Sequence, residues 1–198
     1  MKNYLAEFLG TFALSLAVAL SLAGKFPVPT PVVAALTLAV TVYTLGPISG
    51  AHINPAITVG LLAIGKISVK DAVGYVVAQI AAAGLSIAAA SYLLPQRVVA
   101  GATGSVAVFV AEALGTFFLA IGVSSVVHGK APAPAAGLTI GGSLLLGLSL
   151  AAPASNAVLN PAVALGIGSL SVSYALAPMV GAVAAMFLYQ FVAGAEGG

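Results

Sequence analysis

Apolar residues run along this chain in long blocks, and polar residues gather between the blocks instead of alternating within them. Six blocks lie at roughly 4–23, 31–48, 70–94, 106–127, 135–152 and 172–193. Each is long enough for a helix that crosses a bilayer, which takes about 20 mostly apolar residues. The separators hold prolines, glycines and charges. Gly24-Lys25-Phe26-Pro27-Val28-Pro29 ends the first block, Pro95-Gln96-Arg97 the third, and His128-Gly129-Lys130 the fourth. Two further apolar stretches, near 54–64 and 160–168, are too short to span. At about 1.5 Å of rise per residue, each covers about half of a ~30 Å hydrocarbon layer. The pattern predicts an all-α membrane protein with six transmembrane helices and two re-entrant half-helices.

Composition supports a bilayer as the solvent. Of 198 residues, 61% are hydrophobic and 5% charged, against about 25% charged in soluble domains. Lys2, Lys25, Lys66, Lys70, Asp71, Arg97, Lys130 and Glu196 sit near block ends, and only Glu7 and Glu112 lie inside. A formal charge of +2 is too small to point to nucleic acid. With no cysteine, disulfides and thiolate chemistry are excluded. Lys2 ahead of an apolar run resembles a signal peptide. Glu7 interrupts that run, however, and the block recurs later without a basic flank, so it reads as a span. Six spans place both termini on one side. With the termini cytoplasmic, Lys2, Lys66, Lys70 and Lys130 face inward and Lys25 and Arg97 outward, in keeping with the positive-inside rule. A multi-pass protein of the cell membrane, surrounded by lipid, is expected.

The chain repeats itself. Ala6-Glu7-Phe8-Leu9-Gly10-Thr11-Phe12 returns as Ala111-Glu112-Ala113-Leu114-Gly115-Thr116-Phe117, an offset of 105. Asn54-Pro55-Ala56 returns as Asn160-Pro161-Ala162 at an offset of 106, as do Pro47 as Pro153, Ser49 as Ser155 and Gly60 as Gly166. The halves are about 1–95 and 106–198, within one domain spanning 1–198. Three spans per half is an odd number, so the second half enters the membrane from the opposite side. Inverted repeats place solute sites near the midplane, where broken helices meet.

Asn-Pro-Ala at the head of a half-helix has a physical logic. Asparagine caps free backbone N–H groups, and proline suits the first helical position. If Asn54 and Asn160 sit at opposed tips, their amide donors can point into a passage. An oxygen held by two donors turns its own hydrogens away along the pore, and two positive helix ends oppose cations and protons. A single copy could be no more than a turn signal. Two copies at the repeat offset favour the pore. The backbone from Ser49 to Ile53 and from Ser155 to Leu159 is expected to line that passage with carbonyl acceptors.

Glu7 and Glu112 need partners, because a carboxyl group inside a span is costly. Each is expected to accept hydrogen bonds from the re-entrant loop of its own half. Proton relay is the alternative, but the interior offers almost no further titratable groups. His52 is either a loop histidine satisfied by neighbours or a vestibule residue with a pH effect. His128 reads as interfacial. Gly60, Gly74, Gly84, Gly166 and Gly181 suggest close helix packing.

Ser49-Gly50-Ala51-His52-Ile53-Asn54-Pro55-Ala56-Ile57-Thr58-Val59-Gly60 resembles the first signature of the aquaporins, or major intrinsic proteins. The Ala-Glu-Phe-Leu-Gly-Thr opening and Ala78-Gln79 match as well, and the resemblance covers the whole chain. It implies a right-handed bundle, a homotetramer with one pore per subunit, and water or small neutral solutes as cargo. The second signature departs from the family's Asn-Pro-Ala-Arg, because Val163 follows Ala162. By the family's spacing the outer filter falls on Ala34, Leu148, Ala157 and Val163. None of these is aromatic, charged or a side-chain donor. Without the guanidinium, the filter loses a fixed charge and up to five donors. A wider apolar constriction that passes glycerol-sized solutes is expected. Val163 also resembles a bacterial subgroup linked to arsenic resistance, which extends the candidates to metalloid acids such as arsenite. Leu148 leaves hydrophobic closure open, and with it a structural or adhesive protein with an occluded pore. A coupled transporter would need ion-binding side chains at the midplane. An enzyme would need a nucleophile–base pair or a metal cluster, and two separated histidines supply neither. No catalytic residue, metal or cofactor is expected.

Overall fold

A computed structural model describes residues 1–24, 27–96, 99–101 and 104–194. Lys25, Arg97 and Glu196 lie outside the described residues. The described residues form six long helices: α1 (Lys2–Ser21), α2 (Thr30–Ser49), α4 (Val69–Leu93), α5 (Val106–Val127), α6 (Ala136–Ala151) and α8 (Val172–Val192). Two short ones, α3 (Pro55–Ala63) and α7 (Pro161–Gly166), begin at the two Asn-Pro-Ala copies. Serine caps start α4 and α5, where Ser68 Oγ accepts from the Asp71 amide and Ser105 Oγ from that of Val108. Gly50, with φ of 85°, ends α2 in the left-handed conformation that glycine adopts without steric cost.

The fifth span opens on a 3-10 turn, Ala133–Ala135, before α6 proper. The second half-helix stops at Gly166, short of the 168 read from the sequence. There the Ser169 amide turns back to the Ala164 carbonyl at 2.8 Å, and Gly168 takes a φ of 75°. Apolarity alone continues past Gly166, which is why the sequence overstates the helix.

Helix α1 packs on α2 and α4, and α5 packs on α6 and α8, so the halves repeat the same arrangement. Their seam is α2 against α6, with each half-helix leaning on the last span of the other half: α3 on α8 and α7 on α4. Small residues permit the closest approaches. A Cβ on Gly181 would run into the Ala113 carbonyl, and Gly115 and Gly147 meet backbone to backbone. Dispersion contacts drive helix association in lipid, so such small-residue seams are stabilising.

Polarity is arranged inside out. Leu36 and Val110 are 58% and 57% exposed, while Glu7 and Glu112 are wholly buried, along with Thr11, Gln79 and Thr116. The six spans are long and apolar enough to cross a membrane. The chain is a multi-pass membrane protein with six transmembrane helices and two re-entrant half-helices in an inverted repeat.

Candidate pore and its two facing half-helix tips

The tips of α3 and α7 meet inside the bundle, tied by a reciprocal pair of hydrogen bonds. Asn54 Oδ1 caps its own half-helix by accepting from the Ala56 amide at 2.8 Å. Asn160 Oδ1 accepts from Ala162 at 3.0 Å and Val163 at 3.3 Å. Each amide nitrogen then crosses to the other half. Asn54 Nδ2 donates to the Leu159 carbonyl and Asn160 Nδ2 to the Ile53 carbonyl, both at 2.9 Å. A carboxamide nitrogen carries two hydrogens. The crossed bond uses one of them, and both asparagines line the same cavity.

The loops that deliver these tips are held in an unusual conformation. Ala51, Ile53, Ala157 and Leu159 have φ between 48° and 57°, a region that costs a residue with a Cβ roughly 1–2 kcal/mol. They form two pairs at the repeat offset. The two buried carboxyl groups hold the loops in place. Glu7 accepts from Ser49 Oγ (2.7 Å), the His52 amide (2.9 Å), the Ile53 amide (2.6 Å) and Gln79 Nε2 (2.9 Å). Glu112 accepts from Ser155 Oγ (2.7 Å), the Val158 amide (3.0 Å) and the Leu159 amide (2.7 Å).

Three of the carbonyls expected to serve the passage are already engaged. Ile53 and Leu159 accept the crossed asparagines, and the Ser49 carbonyl accepts from Tyr75 Oη at 2.7 Å. Sequence spacing identified the loop but could not show which of its acceptors the protein itself uses.

His52 is held by its neighbours and also borders the cavity. Its Nδ1 lies 3.1 Å from Thr58 Oγ1 and its ring meets Tyr75 edge-on at 4.9 Å, yet it also lines the cavity. Burial pushes its pKa down to about 4. Permeability should therefore be flat between about pH 5 and pH 8, where the imidazole is neutral, and change only on approach to pH 4. An unfolded histidine titrates near 6.5, so the unfolded chain binds the proton first, and the His52 contribution to stability is lost as pH falls from 6.5 towards 4. Stopped-flow permeability across that range checks the first expectation. His128 lies elsewhere, with Nδ1 2.9 Å from the Ser124 carbonyl and its ring against Tyr189.

A cavity of about 800 Å³ runs past both asparagines. Gly50, His52 and Lys66 line it towards one mouth, and Ala100, Asn156 and Ala157 towards the other. Ala34, Leu148, Ala157 and Val163 all lie in its wall. Antiparallel packing of α2 on α6 sets Ala34, near the start of α2, and Leu148, near the end of α6, towards the same end of the bundle. The wall contains Lys66 but no aspartate or glutamate among the described residues.

The sequence profile of the major intrinsic proteins matches residues 1–189. This chain belongs to that family. Its relatives include the glycerol uptake facilitator protein-like 6 of Lactiplantibacillus plantarum, 39% identical over 94% of this chain and 96% of that one. Aquaporin Z of Rhodopseudomonas palustris is 33% identical over 96% and 92%. Aquaporin NIP1-2 of Arabidopsis thaliana is 33% identical over 97% and 74%. Among solved structures, the aquaglyceroporin from Plasmodium falciparum superposes with a TM-score of 0.70 over 96% of this chain and 94% of that one, at 21% identity. The family's fold therefore survives extensive sequence change.

Sequence reading did not single out Asn156 or Lys66 in the cavity wall, nor Tyr75, which holds the Ser49 carbonyl behind the first loop. Asn156 had a signal, because it replaces Gly50 at the repeat offset. Tyr75 had none, since an aromatic residue in an apolar span looks like any packing residue.

Proposed function

We propose that the protein is a passive transmembrane channel for water and small neutral solutes, glycerol-sized polyols first among them. The crossed pair of asparagines within one cavity supports this reading most directly. A permeating oxygen passing the tips meets the second N–H of each amide and the positive ends of two half-helices, an arrangement that favours neutral oxygen-bearing solutes over cations. Ala34, Leu148, Ala157 and Val163 form the narrow outer filter, and its apolar wall admits the carbon face of a polyol better than an arginine-bearing filter would. Glu7 and Glu112 act as buttresses of the loops, not as a proton relay. Metalloid acids such as arsenite share the size and neutrality of glycerol and fall within the same class.

Residues 1–198 act as one channel domain with halves 1–95 and 106–198. The protein sits in the cell membrane with both termini cytoplasmic, which puts His52 and Lys66 at the inner mouth and Ala157 at the outer one. It assembles as a homotetramer in lipid and catalyses no reaction. Purified protein in proteoliposomes should speed osmotic water flux and swelling in glycerol and in arsenite, run in parallel. Fluxes no faster than through bare lipid would refute the channel and favour an occluded structural role.

A further inference from the structure

The second re-entrant loop departs from the first at several positions, and one of these departures places an amide side chain at the outer mouth. Where the first half has Gly50, the second has Asn156. Its Nδ2 donates to the Gly101 carbonyl at 2.8 Å and to Ser169 Oγ at 2.9 Å, with the Ala100 carbonyl at 3.4 Å. Ser169 is wholly buried just beyond α7, and at the repeat offset its counterpart is Ala63. Donor and acceptor have thus both replaced groups that could not form this contact. Residues 99–101 belong to neither half. They lie between the two, with the Ala100 amide bonded to the Ile167 carbonyl at 3.0 Å and Ala100 in the cavity wall.

We infer that Asn156 is a positioning residue that holds residues 99–101 at the outer mouth and so sets, together with the adjoining filter, the largest neutral solute the channel admits. The inference rests on the channel reading above. One side chain joins three pieces of chain: the loop before α7, the turn after it and the connection between the halves. Ala34, Leu148, Ala157 and Val163 have no side-chain donor with which to share that task. Without the Asn156 amide, the Ala100–Ile167 bond remains as the described hydrogen bond holding this segment. The segment then moves off the mouth, and the size limit rises.

The chain contains no native cysteine, so Ala100→Cys introduces a unique thiol. Asn156→Asp keeps the size and shape of the side chain but, when ionised, can only accept hydrogen bonds. In detergent-solubilised protein, a bulky maleimide should alkylate the Ala100→Cys thiol about tenfold faster when Asn156→Asp is added, the scale expected for losing one or two hydrogen bonds. Ser169→Ala removes one partner and should give about threefold. In proteoliposomes the ratio of six-carbon to three-carbon polyol flux should rise in the same order, a change that general loss of folded protein cannot produce. If Asn156→Asp labels like its parent, the positioning role is overturned. Faster labelling with an unchanged flux ratio overturns the size limit. A parent protein that carries no polyol faster than bare lipid overturns the channel reading instead, while labelling still decides whether Asn156 holds the segment.

Discussion

Glu7→Leu should abolish conduction and destabilise the protein by about 4 kcal/mol or more. The Glu7 oxygens accept four hydrogen bonds, from Ser49, His52, Ile53 and Gln79. Leucine accepts none, and each buried donor left without a partner costs about 1–3 kcal/mol. The penalty is compounded locally, because Ala51 and Ile53 hold a left-handed backbone that survives only where its surroundings enforce it. Relaxation of that loop displaces the Ile53 carbonyl from Asn160 and loosens both tips at once. Glu7→Gln keeps one acceptor oxygen and should fall between the two. Glu112→Leu removes three acceptances and should follow the same course with a smaller loss. Thermal unfolding in detergent and stopped-flow water permeability measure the two effects. A leucine variant with parental stability and flux would show that the loops hold their shape without the carboxyl groups.

Val163→Arg should cut glycerol flux by about tenfold, equivalent to ~1.4 kcal/mol of added barrier, and water flux by less. Val163 is buried in the cavity wall with Ala34, Leu148 and Ala157. Arginine there brings a fixed charge, five donors and a much longer side chain. The added bulk narrows the path most for the larger solute. The donors favour water over the carbon face of a polyol. Val163→Leu adds bulk without charge and separates the two causes, since it should slow glycerol without improving the preference for water. Side-by-side swelling in water and glycerol reads both variants. Unchanged glycerol flux in the arginine variant would remove Val163 from the constriction.

Much of this architecture is written in one dimension. Apolar blocks of span length mark the six long helices, because lipid demands an uninterrupted apolar surface. The two short blocks mark the half-helices, since each opens on an Asn-Pro pair that supplies a cap and a first turn. Where the chain ends a helix for tertiary reasons, the sequence is less informative. Apolarity runs on past Gly166, yet α7 stops there, turned by Gly168 and the Ser169 amide. The same limit explains the carbonyls. The loop from Ser49 to Ile53 could be located by motif, but the use of its Ser49 and Ile53 oxygens by Tyr75 and Asn160 could not.

From the sequence alone came the spans, the inverted repeat, the capped tips and the two carboxyl groups inside the apolar blocks. All of these are local or periodic properties, carried by neighbours in the chain or by a constant offset. Tertiary structure alone decided that Asn54 and Asn160 grip each other's loops across more than a hundred positions. It also decided which amides of its own loop each glutamate meets, and that one asparagine joins three segments at a mouth. Such contacts link residues far apart in sequence, and their geometry is set by how the helices pack, which leaves no period in the chain to read.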